Sequence, residues 1–147
     1  MQRGRGVVFV VDDEELIATT LAMILAQSGF SATAFVGACQ ALEAAASGPV
    51  PDLLITDVIM PGMSGIELAV QFRGEYPQCK ILLFSGQSAA AEMLATARLC
   101  GNEFEVLAKP VHPSDLLAKL RTLTESGEKS VPPQLQEISG SVEPEIP

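Results

Sequence analysis

The sequence predicts a doubly wound α/β domain, a five-stranded parallel sheet with helices on both faces, and three observations carry the prediction. Short apolar, β-branched runs alternate with stretches of helical periodicity through five rounds. The runs are apolar at nearly every residue rather than at every second one, as strands buried on both faces are. Polar residues stand where the runs end, the edge at which sheets of this kind gather ligands.

The first strand is "GVVFVV" at 6–11, and Leu16, Ile17, Thr20, Leu21, Ile24 and Leu25 then recur at helical spacing before Gly29 stops the helix. "SATAF" at 31–35 and "ACQALEAAAS" at 38–47 repeat the pair more weakly, and "DLLITD" at 52–57 with "GIELAVQFRGEY" at 65–76 repeats it strongly. "CKILLFS" at 79–85 is followed by "SAAAEMLATARLCG" at 88–101, and "FEVLA" at 104–108 by "PSDLLAKLRTLTE" at 113–125. The alanine-rich helices express packing and propensity, not binding.

The 147 residues suit one domain with a sizeable core. Hydrophobic residues make up 48%, yet no apolar run approaches the roughly 20 residues of a membrane span. The opening "MQRGRGVVFVVDDEE" meets acids directly after its apolar run and lacks a small-residue cleavage site, so no signal peptide is expected. A net charge of −9 argues against nucleic acid as a direct partner. Cys39, Cys79 and Cys100 show no CxxC spacing and are expected to be reduced thiols packed as small hydrophobes, as in a cytoplasmic protein. From residue 126 onward proline and an acidic excess predict a disordered tail, which leaves 1–5 as an N-terminal arm and 6–125 as the domain.

The strand ends carry the chemistry. Asp12 and Asp13 follow the first strand, Asp57 the third, Ser85 the fourth, and Lys109 with Pro110 the fifth. Carboxylates converging on one edge repel, and either protonation or a bound cation relieves them. Oxygen ligands without His or Cys suit Mg²⁺, while Lys109 and Ser85 offer a cation and a hydroxyl to phosphate oxygens. The set points to phosphoryl transfer.

In order, "VVDDEE", "DVIMPGMSG", Ser85 before Gly86, and "KP" at 109–110 resemble the receiver domain of bacterial two-component response regulators, over about residues 6–125. The resemblance implies a flavodoxin-like strand order 2-1-3-4-5 and makes Asp57 the phosphoacceptor, charged by a sensor histidine kinase or phosphotransfer protein. It implies that Asp13 and Asp57 hold Mg²⁺ directly, Asp12 through water, and Ile59 by its backbone carbonyl. Lys109 would pair with the phosphoryl group across a cis bond to Pro110, and Ser85 would donate its hydroxyl and draw its loop inward. Output would go to a downstream effector protein.

Three positions qualify the resemblance. Receivers place an aromatic switch three residues before the lysine, and Val106 stands there instead. Phe104 is read as core rather than as a substitute. Valine cannot swing as a ring can, so output is expected to be weak or to use another surface. Ile59 and Gln87 occupy places that tune hydrolysis, with opposing tendencies and no net rate implied.

His112 reads as a helix-entry residue, not a second phosphoryl site, and Met60, Met63 and Met93 as scattered packing. A phosphorylatable switch or relay without its own DNA-binding domain ranks first, and a receiver-fold interaction module that no longer switches second. An aspartyl phosphatase ranks third, because the two acids at the first strand are adjacent rather than spaced as DxD. The chain would not be an enzyme beyond its own phosphorylation and dephosphorylation. Cationic Arg98, Lys119 and Arg121 are too few to argue for a dimer.

Overall fold

The computed structural model describes residues 6–86, 88–102 and 104–128. The predicted arm, the tail beyond Glu128 and Gln87 lie outside the described residues. Ten elements alternate: β1 Val7–Val11, α1 Glu15–Gln27, β2 Ser31–Phe35, α2 Ala38–Ser47, β3 Leu53–Asp57, α3 Gly65–Glu75, β4 Lys80–Ser85, α4 Ser88–Leu99, β5 Glu105–Ala108 and α5 Pro113–Glu128. The strands form one sheet in the order β2-β1-β3-β4-β5, parallel throughout. The chain divides after Pro113 into two units, the first holding the sheet and the helices from α1 to α4, the second carrying α5 from Ser114.

The period-two geometry of strands sorts the apolar runs to two faces. Phe9, Val11, Leu54, Ile81 and Leu83 join the stripe Ala38, Ala41 and Ala45 of α2 and Leu68, Ala69 and Phe72 of α3 in one buried cluster. Val8, Val10, Leu53, Ile55, Leu82 and Phe84 are equally buried and alternate with these, so they point to the opposite face. There α1 buries Ala18, Leu21 and Leu25. β2 and β5 are the two edge strands, and Val106 in β5 is exposed.

Sequence-based boundaries shift slightly. α5 runs three residues beyond 125, through Ser126 to Glu128, because no proline interrupts the chain until Pro132. Phe104 precedes β5 rather than belonging to it, yet it packs against the buried cluster with the Arg73 guanidinium 4.2 Å above its ring. The cysteines depart from expectation: Cys79 is buried, but Cys39 and Cys100 are exposed. Cys39 lies one residue off the Ala38–Ala41–Ala45 stripe, and Cys100 follows the last residue of α4. Met60 is buried and Met63 and Met93 pack against the cluster, as scattered packing residues do.

Candidate functional site

Parallel register assembles the acids. Val11 pairs with Thr56 and Asp57 with Phe84, so the residue after Val11, Asp12, falls in one row with Asp57 on the α1 face. Asp12 continues β1 by donating its N–H to the Phe35 carbonyl at 3.0 Å. Its Oδ1 accepts the Glu14 N–H at 2.9 Å, so half of this carboxylate forms the turn into α1. Its Oδ2 accepts from Lys109 Nζ at 3.4 Å. Asp13 is exposed beside it, and one carboxylate oxygen from each of Asp12, Asp13 and Asp57 lies within 4.8 Å of the others.

Lys109 reaches in from the loop after β5. Its Nζ stands 3.1 Å from Asp57 Oδ2, and its N–H donates to the Ser85 carbonyl at 3.1 Å. The bond from Lys109 to Pro110 is cis. Gly86 makes this approach possible, since a Cβ there would stand 3.0 Å from the Lys109 Cβ. Ser85, half-buried, therefore ends β4 beside the Lys109 backbone.

The turn after Asp57 is pinned on both sides. Val58 donates to the Phe84 carbonyl at 3.1 Å, and Gly65 donates to the Val58 carbonyl at 2.9 Å. A side chain on Gly65 would collide with the Asp57 carbonyl, so only glycine lets α3 start this close to β3. Ser64 caps α3 in a reciprocal capping box with Glu67, at 3.1 Å and 2.9 Å. The backbone on either side of Asp57 is thus fixed, and its carboxylate is held against Lys109.

Charge at the site is tuned by burial. Burial pushes the Asp57 carboxyl above its ordinary value; the Lys109 hydrogen bond and charge pull it back, and Asp12 and Asp13 push it up again. Burial pulls the Lys109 ammonium down, but the hydrogen bond it donates to Asp57 and the charges of Asp12 and Asp57 outweigh it and hold the group above its ordinary value. The donor set, carboxylate oxygens without His or Cys, fits a hard divalent cation.

Residues 8–121 match the family model described as the response regulator receiver domain. The chain belongs to that family. Among curated relatives, the receiver resembles the transcriptional regulatory protein CreB of Escherichia coli K12, 34% identical over 119 residues, which are 81% of this chain and 51% of CreB. It also resembles the DNA-binding transcriptional regulator NtrC of the same organism, 31% identical over 133 residues, 90% of this chain and 28% of NtrC. The chain therefore spans about half the length of the one and about a quarter of the other. The signal receiver domain of an HD domain-containing protein from Pseudomonas fluorescens Pf-5 superposes with a TM-score of 0.75 at 29% identity, covering 84% of this receiver and 98% of that chain. A CheY-like receiver from Methanospirillum hungatei JF-1 shares the fold, with a TM-score of 0.75 at 24% identity and coverage of 84% and 97%.

Asp12, Asp13, Asp57 and Lys109 thus meet at one edge of the receiver, with Ser85 joined to Lys109 through backbone. Val106 pairs with Leu83 in the sheet and is 37% exposed. The Ile59 side chain is half-buried and lines a cavity beside Asp57. Sequence reasoning passed over Ser64, Glu67 and Gly65, although the Ser-x-x-Glu spacing of a capping box was there to be read. No helix among the described residues is long and apolar enough to cross a membrane.

Proposed function

We propose that this receiver accepts a phosphoryl group on Asp57 from the phosphohistidine of a sensor histidine kinase or phosphotransfer protein, and that the phosphorylated form engages a downstream effector protein. The observation that carries the reading is the Asp57 carboxylate at the end of β3, 3.1 Å from Lys109 and within a cluster of three acids. An Asp57 oxygen attacks phosphorus in line, and the bond from phosphorus to the imidazole nitrogen breaks as the aspartyl phosphate forms. Lys109 turns from Asp57 to a phosphoryl oxygen, and Ser85 donates its hydroxyl to another. Asp12, Asp13, Asp57 and the Ile59 carbonyl would hold Mg²⁺, which when bound offsets the negative charge of phosphoryl and carboxylates.

Intact mass after incubation with acetyl phosphate and Mg²⁺, beside EDTA and Asp57→Asn samples, tests the reading. One phosphoryl adduct that needs both Asp57 and the metal supports it; a folded, Mg²⁺-binding protein without adduct refutes it. A second reading, an interaction module on a receiver fold that no longer switches, draws on the exposed Val106 in place of an aromatic. On that reading, amide shifts on phosphorylation stay near Asp57; shifts spreading as strongly across Leu94 to Leu107 refute it.

A further inference from the structure

Within the first unit of the chain, α3 and α4 leave a groove of about 520 Å³ between them. Ile66 and Val70, one turn apart on α3, form one wall; Met93 and Ala97 of α4, with Cys100 just past it, form the other. From Met93 to Cys100 the chain advances about 10 Å, two helical turns. Val70 is 39% exposed, and Leu99, seven residues beyond Glu92 and so on the same side of α4, is 89% exposed. The rim is acidic. Glu67 and Glu92 line the groove and are exposed, and neither forms an ion pair among the described residues. Glu67 commits one carboxylate oxygen to the Ser64 N–H, and Arg73 is stacked over Phe104 instead of lining the groove.

An apolar trough two turns long with acids on its rim matches a helix whose apolar stripe is flanked by lysine or arginine. A second copy of this chain would bring its own rim acids and a net charge of −9, and residues 129–147 would bring Glu137, Glu143 and Glu145 against Lys129, so both carry the wrong sign. Both walls also lead back to the acid cluster. α3 starts at Gly65, packed on the Asp57 carbonyl, and α4 starts three residues after Ser85. A change at either residue reaches the groove through these starts, with no need of a turning side chain at Val106. We propose that this receiver engages its effector protein through the groove between α3 and α4, and that the occupant is a basic amphipathic helix. The inference names the surface and the partner chemistry for the output proposed above and rests on that reading.

The probe is a designed helical peptide of about four turns, with leucines at i, i+4 and i+7 on one face and lysines on either side of them. It is titrated into the full chain, with amide shifts and fluorescence anisotropy as readouts. Shifts are expected at Ile66, Val70, Met93, Ala97 and Cys100, with binding at least about fivefold tighter than for the same residues reordered to break the apolar stripe. Glu92→Lys should weaken binding about fivefold and Val70→Asp about tenfold; both positions are exposed, so the fold tolerates the changes. Phosphorylation with acetyl phosphate and Mg²⁺ should raise the affinity about fivefold or more. Shifts that fall elsewhere, equal binding of the reordered peptide, or binding indifferent to both substitutions overturns the inference. So do concentration-dependent groove shifts without peptide, the mark of a second copy, and shifts of residues 129–147 on adding peptide, the mark of a displaced segment of this chain. An Asp57 that is phosphorylated with no change in peptide affinity overturns the inference and leaves the proposed phosphoryl transfer standing. If Asp57 stays unlabelled the proposed function fails, and the titration of the unphosphorylated protein still decides for or against the groove.

Discussion

Replacing Lys109 with Met removes the cation from the acid cluster while keeping the stem that packs against Gly86. The Nζ stands 3.1 Å from Asp57 Oδ2 and 3.4 Å from Asp12 Oδ2. At an effective dielectric of about 20, one such contact is worth ~5 kcal/mol of Coulomb attraction before desolvation is counted. The Lys109 side chain is 27% exposed and that of Asp57 14%, so solvent screens part of this and the desolvation cost offsets more. A loss of about 2–3 kcal/mol in EDTA is the expected net, since three carboxylates would remain without their internal cation. Urea unfolding followed by circular dichroism at 222 nm measures it, beside Asp57→Asn and the double variant. In the Asp57→Asn background the Lys109→Met cost should fall by about 1–2 kcal/mol, leaving mainly the loss to Asp12. Mg²⁺ should restore part of the stability of Lys109→Met by replacing the missing positive charge. A cost under about 0.5 kcal/mol in EDTA, or no coupling between the two positions, would refute the assignment of Lys109 as the internal counter-ion of the site.

The pH dependence of Asp57 follows from its raised pKa. The folded state holds that proton more tightly than the unfolded chain, so the Asp57 contribution is most favourable below the unfolded value of 3.8 and is lost as pH rises through the folded one. Asp57→Asn should therefore be at least as stable as the unaltered protein at pH 7 in EDTA, with the gap closing below about pH 4, as thermal melts would show. Alkylation of native protein with N-ethylmaleimide should add two labels, at Cys39 and Cys100, and a third only in urea, because Cys79 is buried and burial, aided by the Asp52 charge, pushes its thiol up to about 12. The contribution of Cys79 to stability is complete below the unfolded value of 9.0 and disappears as pH climbs through about 12. Over that window Cys79→Ala should lose stability less steeply than the unaltered protein, by about 1.4 kcal/mol per pH unit. Gly65→Ala, whose Cβ meets the Asp57 carbonyl, should cost about 3 kcal/mol or more in urea unfolding and slow any labelling of Asp57. Ser64→Ala should cost about 1 kcal/mol, and Glu67→Ala added to it much less than Glu67→Ala alone, since the box is reciprocal.

The chain's own sequence determined the five strand–helix rounds, because continuous apolar runs and helical spacing are local patterns that burial on two faces demands. It also brought Asp12, Asp13, Asp57, Ser85 and Lys109 to notice, since each ends a run and a polar residue there has no packing reason to exist. Tertiary structure alone decided how these groups meet. Parallel register set Asp12 in a row with Asp57, and the small volume of Gly86 gives room to Lys109, which lies just past β5 and 52 residues further along the chain than Asp57. The exposure of Cys39, Cys100 and Val106 was likewise undecided by residue type, because thiols and valine suit either side of a helix or an edge strand. The cavity beside Asp57 had no linear signature either: its apolar residues along α1 carry the same helical spacing as core residues. Which of them faces a packed neighbour and which an open space depends on the distance between elements, and that distance is a property of the folded chain alone.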